Sequence, residues 1–203
     1  MPEQDAVKSD VSQVVGGEFI EKMKSHLSWI FLSDDQKMAF ELAEGISQLM
    51  KRRSRELQAY PEAYSALKRV QVGAEFLALP LVDDAKVLNL LANNFSAHYQ
   101  IPDYRLTEKF RSKLAGIPAY EDRDVLKRQV RDVLLKSKSL ISPAYKLKTV
   151  EDWLRDYNTK YGTGIVENIK QVQYITALKN DRELGAIEID KIKQLVEFYE
   201  SLK

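Results

Sequence analysis

Apolar residues recur along this chain at intervals of three and four, the spacing of a helix face, and nowhere sustain the alternation of a strand. From Glu18 onward, Ile20, Met23, Leu27, Ile30 and Phe31 form one such face. Ser33 followed by Asp34, Asp35 and Gln36 predicts a capping box: the Ser hydroxyl accepts a first-turn N–H and the acids suit the helix dipole. The helix so opened carries Ala39, Leu42, Ala43, Ile46, Leu49, Met50 and Leu57 and ends near Tyr60-Pro61. Pro61 fits the first turn of the next helix, with Ala63, Leu67, Val70, Ala74 and Leu77 on one side and Val72, Phe76 and Leu79 on another. A helix apolar nearly all round belongs at the centre of a core, so 62–79 is the expected buried centre.

Pro80 ends that helix, and Asp83-Asp84 opens another through Val87, Leu88, Leu91 and Phe95, fading near His98-Tyr99-Gln100. A short helix bears Leu106, Phe110 and Leu114, with Gly116 as its C-terminal stop. The next runs from Glu121-Asp122 through Leu126, Val130, Val133, Leu134 and Leu140 to Pro143. Thr149, three residues before Asp152, caps a helix holding Trp153, Leu154 and Tyr157, closed by Tyr161-Gly162. Residues 165–179 form one more on the stripe Ile165, Ile169, Val172 and Thr176, and the last helix, about 188–203, carries Ile192, Leu195, Tyr199 and Leu202. The predicted fold is all-α, a globular bundle of eight or nine helices with short loops punctuated by Pro61, Pro80, Pro102, Pro118 and Pro143.

Residues 1–17 read differently. Val7, Val11, Val14 and Val15 have helical spacing, but Gly16-Gly17 follows at once and lowers helix propensity by about 1 kcal/mol per Gly. The expectation is a loosely ordered segment, or a short helix that orders on contact, ahead of one helical domain over 18–203. If that domain divides at all, 118–148 is the expected place.

Composition narrows the chemistry more than it points to any. With no Cys among 203 residues, disulfides, thiolate zinc sites, iron–sulfur clusters and thiol catalysis are excluded. The two His residues, His26 and His98, lie in no HExxH, ExxH or HxxxH pattern, so no metal site and no cofactor is expected, and no catalytic residue is assigned. Gly162-Thr163-Gly164 precedes a helix but lacks the Lys-Ser/Thr and the preceding strand of a phosphate-binding loop. The longest uncharged apolar run, Phe76–Val82, is seven residues, against the roughly 20 a membrane span needs. Membrane insertion is therefore not expected, and the acidic first residues lack a signal-peptide pattern. The expected setting is soluble and cytoplasmic.

Charge is uneven. Residues 1–50 carry 4 basic and 9 acidic side chains, residues 51–150 carry 19 and 11, and residues 151–203 carry 8 and 10, so a basic middle lies between acidic flanks. Arg52 and Arg55 in the 51–55 cluster, with Arg123, Lys127, Arg131, Lys136 and Lys138 in 123–148, are the candidate binding residues; clustered cations of this kind can track phosphates. Asp124 with Arg128 and Asp132 with Lys136 are i,i+4 pairs, which equally suit a plain solvated helix. Arg53 and Glu75 fall on apolar stretches and are expected to form a buried ion pair between adjacent helices. Tyr64, Tyr104, Tyr120 and Tyr145 each follow a helix-breaking Pro by two or three residues; ring packing on a neighbouring helix explains them, and a Tyr-lined peptide groove is the alternative.

The scarcity of catalytic material directs the reading to a non-catalytic helical interaction or scaffold module, working through a protein partner or self-association. The alternative is a nucleic-acid-binding helical protein using 51–55 and 123–148. A third class, an enzyme site assembled from dispersed Glu, Tyr, Asn and His, has no motif behind it.

Overall fold

The computed structural model describes residues 17–181 and 183–203. The expected loose segment lies almost wholly outside them. Two compact units divide the chain between Val82 and Asp83, so the 118–148 segment falls inside the second unit. The fold is all-α: ten α-helices and one 3-10 helix, with no strand among the described residues beyond an isolated antiparallel bridge between Leu140 and Thr149.

The first unit holds α1 (Gly17–Ser33), α2 (Gln36–Arg52), α3 (Ser54–Leu57) and α4 (Pro61–Leu77). Helix α4 packs on α2 and α1, burying Ile46, Met50, Leu57, Leu67 and Val70 with Phe19, Met23, Leu27, Leu42 and Leu49 against them. Every residue from Val70 to Leu79 is buried, so α4 is the buried centre its all-round apolar pattern predicts. Gly73 sets the spacing of α1 on α4. A Cβ there would stand 3.0 Å from Leu27 Cδ2.

Asp35, not Ser33, caps α2. Its carboxylate accepts the Met38 N–H at 2.9 Å, while Ser33 ends α1 and its hydroxyl donates to the Ile30 carbonyl at 3.1 Å. Asp34 takes up the left-handed backbone between the two helices (φ 49°), a conformation that Asp tolerates better than most residues. The turn therefore starts two residues later than the capping-box pattern suggests.

The second unit holds α5 (Asp84–Asn93), a 3-10 helix (Phe95–Gln100), α6 (Leu106–Ala115), α7 (Tyr120–Leu134), α8 (Val150–Tyr161), α9 (Asn168–Lys179) and α10 (Ala186–Ser201). Its caps follow the sequence. The Asp83 side chain accepts from Lys86 N at 2.8 Å, and Thr149 and Asp152 close a reciprocal capping box. Gly162, at φ 80°, ends α8 in backbone space that favours glycine.

Two breaks raise the helix count above the expected eight or nine. The predicted helix ending at Tyr60 is interrupted at Arg53 (φ −108°, ψ 22°), and the one fading at Gln100 changes to 3-10 geometry after Asn94 (φ −128°, ψ 18°). Neither break carries a Pro or Gly.

Helix α7 also stops at Leu134 rather than running toward Pro143, leaving a loop over 135–149 that is longer than the short connections expected. Serines hold it. Ser137 Oγ donates to the Ala92 carbonyl at 2.7 Å, Ser139 Oγ accepts from Phe95 N at 3.1 Å, and Ser96 Oγ donates to the Leu140 carbonyl. Ser142 Oγ accepts from Trp153 Nε1 at 2.8 Å, and the Tyr145 ring stacks on Trp153 with centroids 5.4 Å apart. Four serines satisfying backbone and indole groups offer the chain a partner that helical hydrogen bonds would otherwise supply.

Candidate interaction surface

Helix α9 presents opposite faces to the unit and to solvent. Tyr174, Ile175 and Leu178 are buried, and α9 packs on α10. Tyr174 Oη donates to Asp156 Oδ2 at 2.8 Å, its ring meets that of Tyr157 edge-on at 5.1 Å, and Lys160 lies 5.1 Å above it. Burial, followed by the Asp156 charge, pushes the Tyr174 hydroxyl well above the ordinary phenol range, so it stays a proton donor. At the start of α9, Gln171 Nε2 donates to the Val166 carbonyl at 2.8 Å and Val166 N donates to Glu200 Oε2 at 3.2 Å. The inner face is thus tied down by both rings and hydrogen bonds.

The outer face carries Ile169, Val172, Gln173 and Thr176, with Ile165 just before the helix. Ile165 is 83% exposed, Ile169 65% and Val172 62%. These are the residues whose spacing predicts a core stripe; the structure turns that stripe to solvent. The reason is size and bonding: the competing face brings Tyr174, Ile175 and Leu178, a larger apolar set than Ile169 and Val172, and the Tyr174 hydroxyl finds a partner in Asp156. No acidic residue lies within α9, and exposed Lys170 and Lys179 flank the outer face.

The seven basic residues divide between the two units. Arg52 and Arg55 are exposed in the first unit, whereas Arg123, Lys127, Arg131, Lys136 and Lys138 belong to the second. Arg123 is half-buried and its guanidinium donates to the Ile117 and Pro118 carbonyls, closing the turn before α7. Lys138 pairs with Glu151. Lys127, Arg131 and Lys136 remain on the α7 side and the loop after it, half-buried or exposed. Arg53 Nη1 sits 3.3 Å from the Glu56 carboxylate, and buried Glu75 accepts a 2.8 Å hydrogen bond from Gln71 Nε2. Of the four post-proline tyrosines, Tyr104 and Tyr145 are buried, while Tyr64 and Tyr120 are exposed in different units.

His98 is 1% exposed, and burial above all holds its pKa down at about 4. Its Nδ1 faces the Phe95 carbonyl. A carbonyl can only accept, so Nδ1 carries the proton of a neutral ring. The recess of about 250 Å³ beside it is lined by Tyr99, Tyr104, Asp190 and Gln194, whose polar atoms serve the unit: Tyr99 Oη donates to the Lys191 carbonyl and Gln194 Nε2 to Asp190, each at 2.7 Å. Among the described residues no three His, Asp or Glu side chains converge as metal ligands, and no helix is long and apolar enough to cross a membrane.

Two features had no signal in the sequence. One is the outward turn of the α9 stripe. The other is a buried ion pair at the end of the chain, Lys203 Nζ to Glu200 Oε1 at 2.6 Å, with both side chains under 10% exposed. No protein-family model, curated protein or solved structure matches this chain.

Proposed function

We propose that the chain is a non-catalytic interaction module that binds a protein partner through the outer face of α9. The observation that carries this reading is the exposure of Ile169 and Val172 on a helix whose opposite side is anchored, with Ile165 exposed just before it. Scattered exposed apolar residues are ordinary on a protein surface, but a contiguous stripe is a mark of an interaction site. Because Lys170 and Lys179 flank the stripe, the partner surface that fits is an apolar ridge with Asp or Glu beside it, such as one face of an amphipathic helix.

Nucleic-acid binding has less support. Arg123 and Lys138 are engaged within the second unit, which leaves fewer cations for phosphates.

The test uses the Ile169→Asp/Val172→Asp variant. Both positions are exposed, so the unfolding midpoint is expected to stay within a few degrees of the parent. Affinity capture from source lysate is expected to recover a stoichiometric protein partner with the parent chain, unaffected by nuclease, and at least tenfold less with the variant. Equal recovery by both chains removes the α9 reading, and recovery that disappears with nuclease favours the basic residues instead.

A further inference from the structure

A cleft of about 740 Å³ runs through the surface of the second unit between α6 and α10. The two helices lie side by side and point the same way. Asp103 and Tyr104, just before α6, share the smaller recess with Asp190 near the start of α10, and further along the Phe110 and Phe198 rings meet edge-on at 5.5 Å. Buried Tyr104 and Leu106 line the cleft among a set of charged side chains.

Those charges are separated by sign. Arg105 pairs with Glu108 at 3.0 Å and Lys193 with Glu197 at 3.8 Å, so each couple is neutral. Among the described residues Asp103 and Arg111 have no side-chain partner, and Asp190 has the uncharged Gln194 amide at 2.7 Å. Lys191 borders the smaller recess, its Nζ 5.6 Å from the Tyr99 ring centre. Two carboxylates and one ammonium therefore leave a net negative end where the helices begin. The Arg111 guanidinium, next to Phe110, makes the other end positive.

We propose that this cleft binds a short peptide with free ends, its ammonium at Asp103 and Asp190 and its carboxylate on Arg111. The proposal is independent of the α9 reading and concerns a different face of the same unit.

Charge and length both select this ligand. An inorganic ion answers only one end of the cleft, whereas a zwitterion answers both. The planar guanidinium of Arg111 suits a carboxylate, which it can hold through two parallel hydrogen bonds. From Asp190 to Glu197, both lining residues, α10 rises about 10 Å, and three extended residues span about the same distance. A single amino acid holds its two charges too close together to reach both ends. Each exposed ion pair contributes little in water, so affinity depends on engaging the two ends at once.

The test is titration of the full chain with trialanine, followed by backbone amide NMR. Saturable shifts are expected in 103–111 and 187–197. N-acetyl-trialanine lacks the ammonium and trialanine amide lacks the carboxylate, and each is expected to bind about fivefold more weakly, near the upper end for one exposed charge pair. Arg111→Gln is expected to bind trialanine and its amide equally while still discriminating against the acetylated form. Asp103→Asn/Asp190→Asn is expected to do the converse. All three positions are exposed, and Asn tolerates the left-handed backbone at residue 103 (φ 49°), so the variants keep the fold. No saturable shift up to the solubility limit of trialanine would overturn the proposal. So would equal affinity for free and blocked peptides, shifts centred on α9, or discrimination against the amide that survives Arg111→Gln.

Discussion

Replacing Lys203 with methionine is expected to lower the stability of the second unit by about 3–5 kcal/mol, the cost of leaving a buried carboxylate without its cation. The Lys203 ammonium donates to Glu200 Oε1 and to the Gly164 carbonyl at 2.6 and 2.7 Å. It also lies 4.7 Å above the Tyr199 ring and 5.5 Å from that of Tyr157. Glu200 in turn accepts from Val166 N through its other oxygen, so its charge is held by two groups from separate parts of the chain. Removing the lysine strands that charge among aromatic rings. Removing both partners as Glu200→Gln/Lys203→Met is expected to cost far less, because no ion is then left desolvated, and the double-mutant cycle isolates the pair. Denaturant unfolding followed by Trp153 fluorescence in a Trp29→Phe background reads the second unit alone. Additive costs for the two single changes would show that the pair is not coupled.

Acid is expected to weaken the same unit through His98. An unfolded histidine takes up a proton near pH 6.5, whereas burial keeps the folded ring neutral down to about pH 4. Between these values the unfolded state binds more protons than the folded one, so stability rises with pH. The contribution is complete above about pH 6.5 and is lost as pH falls toward 4, amounting to about 3 kcal/mol across the window. His98→Gln keeps a donor for the Phe95 carbonyl but has no titrating ring. The difference in unfolding free energy between parent and variant is therefore expected to change steeply between pH 6.5 and 5, where most carboxylates are still ionised in both. A constant difference across that range would mean that His98 is protonated in the fold.

Most of the helices are legible in the sequence because each segment carries one dominant apolar period and a cap of known chemistry. Asp83 and the Thr149–Asp152 pair cap the helices they are expected to open. The buried course of α4 follows from its lack of any polar face wide enough to meet water. The breaks at Arg53 and Asn94 are not legible, since neither position has the restricted backbone of Pro or the freedom of Gly. The α9 surface is legible in the sequence only as a helix stripe. Spacing picks out Ile165, Ile169, Val172 and Thr176 as a stripe, but α9 has a second apolar face in Tyr174, Ile175 and Leu178. Period alone gives no preference between two apolar faces of one helix. Tyr174 decides it through a hydroxyl bond to Asp156 and contacts with Tyr157, eighteen and seventeen residues away in the chain. The basic middle shows the complementary limit: charge density along the sequence says nothing of which cations, like Arg123 and Lys138, are taken up by neighbours.

The serine-held loop between α7 and α8 bears on how the protein survives digestion. Lys136, Lys138, Lys146 and Lys148 make 135–149 the segment richest in sites for a lysine-directed protease, and its length would ordinarily make it the first place cut. A protease needs several residues of backbone drawn out into its cleft. Here Ser137, Ser139 and Ser142 fasten that backbone to α5, the 3-10 helix and Trp153. Cleavage at those lysines then waits on opening of the unit as a whole, so the loop becomes a clock for global unfolding rather than a point of attack.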